Sequence, residues 1–288
     1  MTKEKTERQS NIEVLRILAM FMIVLGHAWY HYERGLPDYP IKGFCYHIIN
    51  PLLYMHVDIF VLITGYFGLK CRIRTFYKFY SICLFYILFS LAFSLLFPQF
   101  GSFHLKALVF PLTRTDWWFI TVYLTLMLVS PVINAVIALC DSRRKWVYLI
   151  GISFIFNFYL SWFHKIDSVY SMGFDLFNFS CLYILGRYIA INGIPFKIRT
   201  LFISFAALCV LKILLSEFSL INESFDKFIK IKTYCNPINV FSAFAVLCLF
   251  LMWRKGWHSK WVNYISSSSL AVYLITDNLH VRGGGFHG

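Results

Sequence analysis

The chain has 288 residues, of which 59% are hydrophobic and 14% charged, and its formal net charge is +13. A water-soluble domain is nearer ~45–50% apolar and ~25% charged. A soluble core therefore cannot absorb this much apolar surface, and a disordered chain, a coiled coil and a disulfide scaffold are excluded as well. The basic excess would suggest nucleic acid only if it gathered on one solvated face. At the ends of apolar runs it reads as membrane topology.

A helix needs ~20 apolar residues to cross the hydrocarbon core. Nine runs approach that length, at 12–30, 48–69, 76–98, 117–139, 146–163, 173–190, 200–216, 236–253 and 262–276. The run 103–112 is too short to span and reads as interfacial or re-entrant. Transmembrane strands would alternate apolar and polar residues, which these runs do not. The first run carries Arg16 in its opening turns and has no small-residue cleavage site after it, so it is not a removable signal peptide. The expected fold is all-α, a polytopic transmembrane bundle of about nine spans forming one domain over 1–288, with 277–288 an atypical tail that suggests truncation.

Lys and Arg alternate between rich and poor connections. The rich ones hold Lys3, Lys5 and Arg8; Lys70, Arg72 and Arg74; Arg143, Arg144 and Lys145; Lys197 and Arg199; and Arg254, Lys255 and Lys260. The poor ones hold Arg34 and Lys42; Lys106 and Arg114; Lys165; and Lys227, Lys230 and Lys232. The positive-inside rule then predicts a multi-pass protein of the cytoplasmic membrane with a cytoplasmic N-terminus, in contact with membrane lipid and with no nucleic-acid partner. The polar stretch 217–235, with Glu217, Glu223 and Asp226, is expected outside as a solvated loop or as the lip of an acceptor site. The eight cysteines form no CxxC pair, which argues against zinc and against a disulfide framework.

Ionisable residues inside spans are costly and mark functional positions. The first span has Glu13, Arg16 and His27. Eleven residues separate Arg16 from His27, which is ~1100° of rotation and ~16 Å of rise, so both side chains fall near one helix face. The plain alternative is an Arg16 that snorkels to the interface and a His27 that is packed with one hydrogen bond. His27 and His31 are four apart, a spacing that can hold a metal. No carboxylate is convincingly beside them, so no metal is expected.

In the second span Asp58 precedes Thr64-Gly65, a pair that lets helices approach closely. Asp58 either orders the bundle or orients His27 or an acceptor hydroxyl. Lys70, Arg72, Arg74 and Lys78 crowd the next connection, as a lipid anchor or as a phosphate clamp. Trp117 and Trp118 fit an interfacial aromatic belt.

These residues together resemble the acyltransferase 3 family of bacterial integral-membrane acyltransferases. Glu13-x-Leu15-Arg16 followed by His27 fits that family's Arg-x10-His pattern, and Val57-Asp58-Ile59-Phe60 through Thr64-Gly65-Tyr66 is similar to its Asp-x-Phe-Phe…Ser-Gly-Tyr stretch. Trp118-Phe119, Leu128 to Pro131, Tyr183 with Leu185 to Tyr188, and Ser269 to Ile275 also resemble family blocks. The resemblance implies transfer of an acyl group, by default acetyl, from cytoplasmic acyl-CoA as co-substrate to a hydroxyl of a glycan or a lipid-linked sugar. It implies His27 as the catalytic histidine; Asp58 joins it as a candidate catalytic residue on its own place within the second span. Arg16 is then the paired arginine, and Arg72, Arg74 and Lys78 are the CoA-phosphate cations, although the family's Arg-x-x-Arg spacing is missing. The family has ten spans, and Thr276 stands where it often has His. The competing readings are a glycan or lipid transporter and a catalytically inactive membrane subunit.

Overall fold

The computed structural model describes residues 8–32, 43, 45–97, 112, 117–163, 173–222, 224–225 and 229–277. Lys3, Lys5, Arg34, Lys42, Lys106, Arg114, Lys165, Glu223, Asp226, Lys227 and the tail 278–288 lie outside them, as do the run 103–111 and the side chain of His31.

The nine apolar runs fold as helices: α1 Ser10–Tyr32, α2 His56–Phe67, α3 Ile73–Leu96, α4 Trp118–Ala138, α5 Arg143–Phe163, α6 Leu176–Asn192, α7 Ile198–Ile221, α8 Pro237–Met252, and the pair α9 Lys260–Ser267 and α10 Ser269–Thr276. There is no strand among the described residues. Among the described residues, five segments are long and apolar enough to cross a membrane: Ser10–Ala28, His47–Phe67, Ile73–Leu96, Trp118–Ala138 and Ile198–Ile221. Two runs are broken. A π-helical turn, Cys45–Ile49, and a short turn, Asn50–Leu53, precede α2, and the last run bends at Ser268.

Local chemistry sets several of the ends. Asp175 accepts the Asn178 N–H at 3.0 Å ahead of α6, and Asn236 accepts the Ile238 N–H at 2.9 Å with Pro237 opening α8. Each satisfies a backbone donor that the helix leaves without a partner.

The centre of the bundle is α2 packed on α6. A Cβ on Gly65 would run into the Tyr183 carbonyl, and one on Gly186 into the Leu62 carbonyl. The two glycines therefore permit a backbone crossing that no larger residue allows. Two of the family-like blocks meet in this contact. Helix burial grades outward from there, from 67% of the α2 segment to 22% for α3 and 11% for α7. The outer helices show Phe85, Phe89, Phe202, Val210 and Leu214 to the surroundings, as lipid-facing helices do.

The Ser10 N–H donates to the Trp257 carbonyl at 3.1 Å, and His258 Nδ1 meets the Arg8 carbonyl at 2.8 Å. These bonds put Arg8 and the Arg254–Lys260 connection at one end of the bundle, as the charge pattern predicts.

The stretch 217–235 differs from its expectation. Helix α7 continues to Ile221, and Glu217 bonds His47 Nδ1 at 2.8 Å. Ile231, Thr233, Tyr234 and Cys235 are buried rather than solvated. The reason is side-chain satisfaction of the backbone. Asn239 Nδ2 donates to the carbonyls of Ile231 (2.8 Å) and Thr233 (2.7 Å), and Asn236 Nδ2 to that of Ile229 (2.8 Å). With its carbonyls bonded, the turn can enter the bundle.

Candidate functional site

A cavity of about 320 Å³ runs along α1 between α2, α4 and the α9–α10 pair. Arg16, Met20, Ile23 and His27 all line it. Their spacing of four, three and four residues is one helical stripe, so the face shared by Arg16 and His27 is a cavity wall. Arg16 turns into the bundle rather than snorkelling.

At the basic end, Arg16 Nη1 donates to Glu13 Oε1 at 2.7 Å, while Glu13 Oε2 accepts from Ser266 Oγ. Glu13 is buried and fixes the guanidinium, which also lies 5.5 Å over the Phe67 ring. The bend at Ser268 brings Ser266, Ser267 and Ser269 to the cavity wall. One end therefore offers a held cation and several hydroxyls, a donor set suited to phosphate and amide oxygens.

At the other end, His27 Nε2 is 3.4 Å from Asp277 Oδ1, and His27 Nδ1 is 3.3 Å from Thr276 Oγ1. Asp277 is fully buried. A carboxylate only accepts, so this pair favours the proton on Nε2 and leaves Nδ1 as the accepting nitrogen of a neutral ring. The Thr276 hydroxyl also lies 3.0 Å from the Val272 carbonyl as a donor, so its contact with Nδ1 is one that an incoming hydroxyl can replace.

The opposite wall carries His56 and Tyr234, with Nε2 and Oη 3.5 Å apart. Trp118 stacks on Tyr234 at 5.9 Å between centroids. The belt expectation for the two tryptophans is corrected here. Trp117 is buried and Trp118 lines the cavity, because α4 begins inside the bundle.

The structure brings Arg16 and His27 to one cavity but leaves the other expected site residues outside it. Asp58 is fully buried and does not line the cavity, and its electrostatic neighbours are Lys212 and Asn178. Arg72, Arg74 and Lys78 are exposed around the start of α3, and only the following residue, Phe79, reaches the cavity wall. Lys78 is one residue, ~100° of rotation, from Phe79 and so takes another face of α3.

Asp277, His56, Tyr234 and Lys212 were not singled out from the sequence. Asp277 closes the last apolar run, where it reads as the start of the tail. His56 opens α2, two residues before the more conspicuous Asp58. Lys212 is a lone cation inside an apolar span, which was a usable signal. Among the described residues, no three of His, Cys, Asp or Glu converge as a ligand set.

A family model described as an acyltransferase domain matches residues 9–276, which takes in every helix from α1 to α10. No curated protein and no solved structure shows a significant match.

Proposed function

The chain belongs to the acyltransferase 3 family and is an integral membrane protein, and from that premise we propose that it moves an acyl group, acetyl by default, from cytoplasmic acyl-CoA to a hydroxyl of a cell-surface glycan or its lipid-linked precursor. The carrying observation is that one cavity has Arg16 at one end and His27 at the other. Their ~16 Å spacing along α1 is comparable to an extended pantetheine arm.

Arg16, held by Glu13, faces the CoA phosphates from within, and Arg72, Arg74 and Lys78 add positive charge on the outer rim of the same end. His27, held by Asp277, takes the proton of the acceptor hydroxyl as its oxygen bonds to the acyl carbon. The C–S bond then breaks, and the leaving thiolate receives that proton from His27. The cavity walls between these ends are mostly apolar, which excludes water and limits hydrolysis of the thioester.

Purified protein in lipid vesicles is expected to transfer label from acetyl-CoA to a glycan hydroxyl, and His27→Ala to lose that transfer. Movement of the glycan across the vesicle wall without consumption of acetyl-CoA would support a transporter instead. A wild-type protein that binds neither substrate would support an inactive subunit.

A further inference from the structure

The buried turn 231–236 is heavily built for a connection between two helices. Lys230 enters it with φ at +44°, in the left-handed region. Asn236 and Asn239 tie down its carbonyls from the start of α8. Gly173, at φ +94°, packs so closely from the other side that a Cβ there would lie 2.8 Å from Tyr234 Cβ. All of this holds one aromatic ring, whose hydroxyl reaches the cavity wall beside His56. The His56 ring in turn packs on α1 one residue before His27, since a Cβ on Gly26 would lie 3.9 Å from His56 Nε2.

We propose that the Tyr234 hydroxyl is the hydrogen-bond donor to the acyl carbonyl oxygen during transfer, and that His56 positions it by donating its Nε2–H to Tyr234 Oη, which leaves the phenol's one proton for the substrate. The assignment rests on the acyl-transfer reading above. When the acceptor oxygen bonds to the acyl carbon, the carbonyl π pair moves onto its oxygen, which becomes negative until the C–S bond breaks. A donor fixed before the reaction in a water-poor wall stabilises that charge without reorganising. No proton leaves Tyr234, because the acceptor's proton passes to His27 and then to the thiolate.

Other groups are worse placed. Both His27 nitrogens face α10-end residues, Asp277 and Thr276. Arg16 lies ~16 Å along the helix. Tyr273 also lines the cavity, 6.2 Å from the His27 ring between centroids, but it belongs to α10, the element whose Thr276 faces Nδ1, and so lies on the acceptor's side of the base. Tyr234 and His56 come from the turn and α2 instead, so a carbonyl can lie between them and the base.

The test compares kcat and KM for wild type, Tyr234→Phe, His56→Gln and Tyr273→Phe in vesicles, with acetyl-CoA and a glycan acceptor. Tyr234→Phe keeps the ring that stacks on Trp118. It is expected to lower kcat about 100-fold or more, with KM for acetyl-CoA within about twofold. His56→Gln should lose less, and the double variant should be no worse than Tyr234→Phe, because residues acting as a unit are not additive. Tyr273→Phe should retain most of kcat. A Tyr234→Phe kcat equal to wild type would overturn the assignment, as would a rise in acceptor KM at constant kcat. Acetyl-CoA binding and melting temperature show that each variant is folded, and His56→Gln probes the same wall independently of the turn. Wild type without turnover fails the acyl-transfer reading itself; active wild type with an unaffected Tyr234→Phe fails this assignment alone.

Discussion

Two sets of polar residues lie inside this bundle, and they differ in access. The first runs from Arg16 to His27 along a cavity, with side chains 29% and 21% exposed. The second gathers Asp58 of α2, Asn157 of α5, Asn178 of α6 and Lys212 of α7, all at 0% exposure. Asn157 Nδ2 donates to Asn178 Oδ1 at 2.8 Å, and Asp58 and Lys212 are buried near them with no salt bridge between the two. An ionisable group in an apolar span marks either a place for chemistry or a tie between helices. Burial alone selects Asp58 and Lys212, whereas access to a cavity selects Arg16 and His27.

The comparison breaks most visibly at His27. Loss of a positioned general base costs ~10²–10⁴ in rate, so His27→Ala should fall by that much in acetyl transfer while its melting temperature stays near wild type. Asp58→Ala should do the opposite. Removing one fully buried polar group and leaving its polar neighbours unsatisfied costs ~1–3 kcal/mol, read as lower yield and melting temperature, with kcat per folded molecule kept. Replacing Asp58 and Lys212 together by apolar residues should recover most of that stability.

Arg16→Ala sharpens the account of the cavity's other end. Charge-assisted hydrogen bonds contribute ~1.5–3 kcal/mol, so KM for acetyl-CoA should rise ~10- to 100-fold, with a smaller change in kcat. Arg74→Gln with Lys78→Gln should change KM only about threefold, because exposed charges are screened.

The smallest effect belongs to Asp141. Lys145 Nζ donates to its Oδ2 at 2.7 Å and holds the carboxyl below its ordinary range. The pair therefore helps the folded state above that range and is lost as pH falls through the lowered value. Asp141→Asn should leave transfer unchanged and slightly flatten the acid side of the melting profile.

Helical periodicity made much of this architecture readable in advance. The stripe of Arg16, Met20, Ile23 and His27 needs only the 3.6-residue repeat, and Thr64-Gly65 announces its close crossing because a missing Cβ has one geometric consequence. Tyr234 was hidden for a physical reason. Its turn is polar in sequence and enters the bundle only because Asn236 and Asn239 bond its carbonyls, a tertiary condition with no local signature. Asp277 was hidden because a charge at the end of an apolar run looks the same whether it faces water or an imidazole. Arg74 and Lys78 have the right chemistry for phosphate, but the side of α3 they occupy is set by how α3 leans on its neighbours.

The most direct test of the central claim is photolabelling with an acetyl-CoA analogue that carries its reactive group on the acyl end. Labelling of the segments that hold His27, His56 and Tyr234, reduced by Arg16→Ala, is the predicted result. Labelling confined to the Arg72–Lys78 rim, or to the exposed faces of α3 and α7, would contradict it.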